Sequence, residues 1–318
     1  MRGRPAALAV ILLLMVIAIA IGALYIGVAD TTTSIIWNIR GPRVVMAILI
    51  GSGLALAGVL MQGSLSNPLA DPALVGVSAG AALGGVAAVS LGASFNTAFS
   101  ALGACAGGAI ALAVVTSISI RNRVPEVVTL LLAGVAVTAF AGALLTVLVS
   151  VSDSTATRSV TFWSTGSLSL TTWAAVLTVA PFVIVGAGIS ATMASSLDVL
   201  SLGDRAANAL GVNVSAVRYR ALIAVVLLVS VGVSSVGVIA FVGLLVPHAV
   251  RMVIGPRHGP LLLISALAGT LLILVTDTAS RVVANPIEVP IGAITAVVGA
   301  PIFFILIRRT RASQGGWA

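Results

Sequence analysis

The chain has 318 residues, 59% of them hydrophobic and only 8% charged. Soluble domains carry about 25% charged residues, so an ordinary soluble domain is excluded. The long apolar runs lack period-2 alternation and predict membrane-spanning helices rather than a barrel. The net charge is +8, and all 16 basic residues are arginines scattered between apolar runs. That pattern suits membrane topology and headgroup anchoring, not nucleic-acid binding.

Ten apolar runs of spanning length predict an all-α polytopic protein, with residues 1–318 forming one membrane domain. The first run, 6–29, exceeds the roughly 7–15 residues of a signal-peptide core and reads as a transmembrane helix. Span 2 covers 42–63, with Pro42 suited to a first helical turn. Gln62, Ser64, Ser66 and Asn67 then interrupt the apolar run, and Pro68 and Pro72 bracket a turn that cannot continue the helix. Span 3 follows at 73–91 and span 4 at 97–120. Arg121, Arg123 and Pro125 form a basic turn before span 5 at 127–149. Trp163 and Trp173, in the next polar stretch, fit a membrane interface. Span 6 covers 174–193, and the longest polar segment is 194–220. Span 7 covers 221–238, and a short span 8 ends at Pro247 and His248. Arg251, Arg257 and His258 make a second basic turn, and spans 9 and 10 cover 261–279 and 291–307.

With ten spans both termini share one side, and that side holds twelve arginines against four. The termini are therefore expected in the cytoplasm. Small residues recur every four positions at Gly76, Gly80 and Gly84, at Ala47, Gly51 and Ala55, and at Gly103 and Gly107. Such stripes let helices approach closely in lipid. The single cysteine, Cys105, excludes an intrachain disulfide and reads as a packing residue. Segments 51–72 and 237–256 echo each other as apolar helices broken by a proline-containing turn, a hint of the repeats common in transporters.

Chemistry concentrates in two places. In the hairpin within 194–220, Ser201 is expected to cap a helix start, with Asp204 near the positive end of the dipole. Gly211 suits a left-handed cap and Asn213 a further helix start. Leu200, Leu202, Ala206, Ala209, Leu210 and Val212 supply an apolar face fit to dock in a partner's groove. At the opposite side lie Arg40, Arg43 and Arg281. Arg40 and Arg43 stand at a helix N-terminus, where the dipole disfavours cations. They are expected to anchor headgroups or to receive acidic groups of an external partner, since the guanidinium fork pairs bidentately with carboxylates. Asp277 lies one turn before Arg281 and is placed to pair with it. Span interiors otherwise read as free of acids, lysines and histidines, which counts against proton coupling. No Ser/His/Asp set, HExxH or metal-ligand spacing occurs, and there is no Walker-type loop with lysine.

The run RGPRVVMAILIGSGLALAGVLMQGSLSNPLADPALVGVSAGAALG at 40–84 closely resembles the signature of the FecCD/BtuC-type permeases. LLLAGVAV at 130–137, FWSTGSL at 162–168, SLGDRAANALGV at 201–212, IAFVGLLVPHAVRMVIGPRH at 239–258 and PIGAITAVVGAPIFFILI at 290–307 extend the likeness nearly end to end in the family's order. These are membrane subunits of bacterial binding-protein-dependent ABC importers for iron–siderophores, haem and cobalamin. The resemblance implies a type II, BtuC-like fold of ten helices in the cytoplasmic membrane and a dimer with a like or sister permease. It also implies two cytoplasmic ATPase subunits holding ATP and Mg, and a periplasmic or lipid-anchored binding protein. The chain itself would be no enzyme and bind no cofactor. By the same resemblance, Arg40, Arg43 and Arg281 would receive glutamates of the binding protein. Leu200, Ser201, Gly203, Asp204, Arg205, Ala206, Leu210, Gly211 and Val212 would meet the ATPases. Met61, Gln62 and Asn67 are expected along the translocation path. Val127 and Val128 stand where some relatives carry small polar gate residues. The expected cargo is a ferric siderophore, with haem and cobalamin as alternatives. The rival readings are a proton-driven transporter and a passive channel.

Overall fold

One helix sits at the centre of the bundle. In the computed structural model, described over residues 3–27, 32–91, 97–121, 124–125, 127–150, 165–283 and 288–313, the chain runs as α1 (Gly3–Tyr25), α2 (Gly41–Ser64), α3 (Val77–Ser90), α4 (Ala98–Ser119), α5 (Val127–Ser150), α6 (Trp173–Thr192), α7 (Ala194–Leu200), α8 (Asp204–Ala209), α9 (Val214–Val236), α10 (Val242–Ile254), α11 (His258–Val282) and α12 (Ile291–Ser313). A helical turn (Thr33–Ile35) and a π-turn (Ile36–Arg40) lead into α2. The described residues also hold one small antiparallel bridge, pairing Ile120 with Pro125 and Arg121 with Val124. The side chains of 120–128, residues 151–164 and the arginine side chains of the tail lie outside the described residues. So do the expectations for Arg123, Val127, Val128 and Trp163.

Helix α2 packs against α6, α9, α10 and α11. Its apolar window is 78% buried, against 11% for α1 and 22% for α5. The stripes of small residues explain these contacts. Any side chain on Gly51 would collide with the backbone of Gly269 in α11, and one on Gly58 with the carbonyl of Gly243 in α10. The stripe Gly80–Gly84 meets Gly107 and Gly103 of α4 in the same way. Cys105 is half-buried against the core. At one end of the bundle Trp173 donates from Nε1 to the Trp37 carbonyl at 2.9 Å, with the two rings 5.4 Å apart.

The ten apolar runs become seven full-length helices and three shorter ones, α3, α10 and the described part of α12. Two expected boundaries are corrected. Span 3 starts at Val77, after Gly76 in the left-handed region at φ 84°. Residues 65–76 therefore form a longer non-helical turn, exposed at Ser66, Pro68 and Leu74 but folded inward between them. Ala70, Asp71 and Pro72 are buried, and the Asp71 carboxylate lies beside Gly243, level with Leu54 in the middle of α2. Irregular backbone survives at that depth because its polar groups are satisfied internally. Asn67 N–H donates to Gln62 O, Ala73 N–H to Asp71 Oδ1 and Leu69 N–H to Asn67 Oδ1. An acid thus stands inside the bundle, contrary to the sequence reading.

Span 8 likewise does not end at Pro247; α10 continues to Ile254 with that proline inside it. Proline has no N–H for the carbonyl four residues earlier, which is that of Gly243. Gln62 Nε2 lies 3.4 Å from that carbonyl and donates to the next, Leu244, at 3.1 Å. The side chain of Gln62 therefore takes part of the place of a lost helical hydrogen bond.

Candidate functional site

The polar residues of interest gather at the two ends of α2. At its N-terminus Arg40 and Arg43 are each 4% exposed, and Arg281 of α11 is 9% exposed. The three do converge, but they are inside the protein rather than open at its outer surface. Arg40 Nη1 donates to Leu24 O at 2.9 Å. Arg281 Nη1 donates to Ala23 O and Ile26 O at 3.1 and 3.2 Å. Both arginines thus cap the C-terminal carbonyls of α1, where a helix lacks partners of its own and favours cations.

Arg43 is held differently. Its Nε donates to Asp277 Oδ1 at 2.7 Å, and Nη1 and Nη2 donate to the two oxygens of Glu288, both at 2.9 Å. Asp277, 1% exposed, also pairs through Oδ2 with Arg281 Nη2 at 3.3 Å, one helical turn away as expected. A buried cation left unpaired is very costly. The helix expected to start beside Arg43 in fact runs unbroken from Thr33 through the π-turn, so Arg43 stands beyond the first turn where the dipole acts, and its charge is balanced by two internal carboxylates that lie far away in the chain. Among the described residues the cluster brings together three arginines and two acids.

At the other end of α2, Gly63 and Ser64 are gripped from two sides. His258, the first residue of α11, packs its ring on Gly63. Its Nδ1 and its backbone N–H both face Asp198 Oδ1, at 2.7 and 2.8 Å. Arg218 of α9 donates from Nε to Ser64 O at 3.1 Å and from Nη2 to Asp204 Oδ1 at 2.8 Å. Asp198 belongs to α7 and Asp204 to α8, the two arms of the hairpin. Each arm is thereby tied through an acid to the end of the central helix. Beside this joint a cavity of about 440 Å³ opens among Ser64, Thr116, Leu130, Arg218 and Tyr219.

The hairpin's expected caps divide. Gly211 ends α8 at φ 81°, with Val212 N–H donating to Ala207 O, and Asn213 accepts from Ala216 N–H at the start of α9. Ser201 instead closes α7, its hydroxyl donating to Asp198 O, while Gly203 precedes α8. Gly203, at φ 96°, supplies the positive φ that the bend needs. Leu200 faces the core at 0% exposure, whereas Leu202 and Leu210 are 65% and 64% exposed beside Arg205. The apolar face is therefore narrower than the sequence suggested. Ala206 and Val212 flank it, half-buried.

Met61, Gln62 and Asn67, expected along a path, are all buried within this chain's own bundle. Met61 fills the core, Gln62 serves the α10 backbone and Asn67 organises the turn.

Long apolar helices packed into a bundle and joined to a partly exposed hairpin are the architecture of a polytopic membrane protein. A family model for the FecCD transport family matches residues 7–309. The chain belongs to that family, whose members are permease subunits of ABC importers; ATP hydrolysis belongs to a separate subunit. The cobalamin import system permease protein BtuC of Halobacterium salinarum is 40% identical over 285 residues, covering 90% of this chain and 76% of its own. The hemin transport system permease protein HmuU of Yersinia pestis is 35% identical, covering 99% of both chains. The Fe(3+) dicitrate transport system permease protein FecD of Escherichia coli is 38% identical over 87% of this chain and 86% of its own. Among solved structures, a metal-chelate type ABC transporter in an inward-facing conformation matches with a TM-score of 0.84 and 30% identity, covering 96% of this chain and 99% of that one.

Proposed function

We propose that this permease imports a ferric siderophore by alternating access, using α2 as the link between an outer docking site and an inner coupling site. The observation that carries the reading is the pair of clusters at opposite ends of one central helix. Arg40, Arg43 and Arg281 form a cationic site for acidic groups of a periplasmic or lipid-anchored binding protein. The exposed stretch around Leu202, Arg205 and Leu210 docks on cytoplasmic ATPase subunits, which hold ATP and Mg. Movement of the hairpin reaches α2 through Asp198–His258–Gly63 and Asp204–Arg218–Ser64. A second permease subunit completes the path, both termini lie in the cytoplasm, and the membrane is the bacterial inner membrane.

The relatives' names support a metal chelate as cargo, since they include iron citrate, hemin and cobalamin. Cobalamin is the second reading, favoured by the 40% identity to an import permease for it. Uptake into liposomes containing the reconstituted importer separates them, with a ferric siderophore expected to accumulate and cobalamin not. Reversing the charge of Arg40 and Arg43 together is expected to abolish stimulation of the ATPase by the binding protein; full stimulation would refute the docking site. Leu210→Asp is expected to release the ATPase from the detergent-solubilised complex, and full copurification would refute the hairpin as the main dock.

A further inference from the structure

Every part of the Arg43 fork is occupied, and its two carboxylates differ in one respect. The Asp277 side chain is 2% exposed and shared with Arg281, so it is fixed. The Glu288 side chain is 39% exposed and makes its bidentate contact with Arg43 alone. Glu288 lies in the short non-helical segment before α12, where Val289 N–H reaches Ser280 O at 3.4 Å. An external acidic group can meet Arg43 only by taking the positions that the Glu288 oxygens now hold.

We infer that Glu288 is a resident stand-in for the partner's carboxylate on Arg43, and that docking proceeds by exchange of one acid for the other. The inference rests on the docking reading above and names the group that the partner must displace. It also explains how a buried arginine is tolerated when no partner is bound. Without Glu288, one side of a buried guanidinium would lack a counter-charge, which is costly. With it, exchange conserves the bidentate geometry, and the displaced carboxylate passes into solvent that it already reaches. Docking then frees the segment leading into α12, so that a contact at α2 is felt at a second helix. An incoming acid and Glu288 cannot share the fork, because like charges at that distance repel.

The test titrates the binding protein encoded with this permease onto the permease–ATPase complex in lipid nanodiscs. Glu288→Gln removes the competing charge and is expected to tighten binding about fivefold to tenfold, with half-maximal ATPase stimulation at correspondingly lower concentration. Glu288→Ala is expected to act in the same direction, so a misfolded Gln variant would not decide the matter. Misfolding also cannot produce a gain in affinity. Unchanged or weaker binding in both variants, with binding still lost on charge reversal of Arg40 and Arg43, would overturn the exchange and leave the docking site intact. Binding that survives the charge reversal would overturn both.

Discussion

Asp277 holds two arginines at once, and its removal is the most damaging single change to be expected in the arginine cluster. In Asp277→Asn, Arg43 would keep Glu288 and Arg281 would lose the carboxylate it pairs with. Breaking a buried pair from one side costs about 3–5 kcal/mol. A clear fall in the melting temperature of the detergent-solubilised chain checks this, with Glu288→Gln falling less because its carboxylate is partly solvated. Gln62 is a quieter case. Gln62→Met keeps the bulk but strips a donor from the Gly243 and Leu244 carbonyls, at an expected cost of about 1–3 kcal/mol. Transport per hydrolysed ATP in the folded fraction then separates the two roles: a normal ratio is expected if Gln62 serves the α10 backbone alone, and a lowered one if it lines the path.

Among the helices, the decisive quantity is how closely backbones approach. Gly58→Ala would drive a methyl group into the Gly243 carbonyl, parting α2 from α10 at an expected cost of about 1–3 kcal/mol. Gly188→Ala, on an exposed face of α6 with nothing within 4 Å, should be neutral or stabilising by up to about 1 kcal/mol, as for any glycine inside a helix. Melting curves of the two variants make the comparison directly. The hairpin is judged by coupling instead. Asp198→Ala unties α7 from His258 and should leave the ATPase bound while lowering the solute carried per ATP. A normal ratio would show that Asp198–His258 transmits nothing.

Across the whole molecule, a long central helix links two charged regions, and the docking proposed at its arginine end predicts a signature in kinetics. Raising ionic strength would screen the proposed attraction between the arginine cluster and an acidic binding protein. Association of the binding protein is therefore expected to slow with salt more than dissociation quickens, as surface-based kinetics would record. The ATPase contact proposed around Leu202 and Leu210 should respond less to salt.

The helices, the hairpin and the family were legible in the sequence because they depend on neighbours along the chain. Hydropathy over about 20 residues marks a span, and Gly211 and Asn213 announce caps through local backbone chemistry. The proximity of Asp277 to Arg281 was visible as a helical repeat. Tertiary structure alone decided what Arg43 meets, because its two carboxylates lie 234 and 245 residues away. It also folded residues 65–76 back beside α10 and turned Met61 and Gln62 inward, where a sequence pattern suggested a path. Those outcomes depend on which helix faces pack together, and in a chain this rich in glycine and alanine many faces look alike until the bundle has formed.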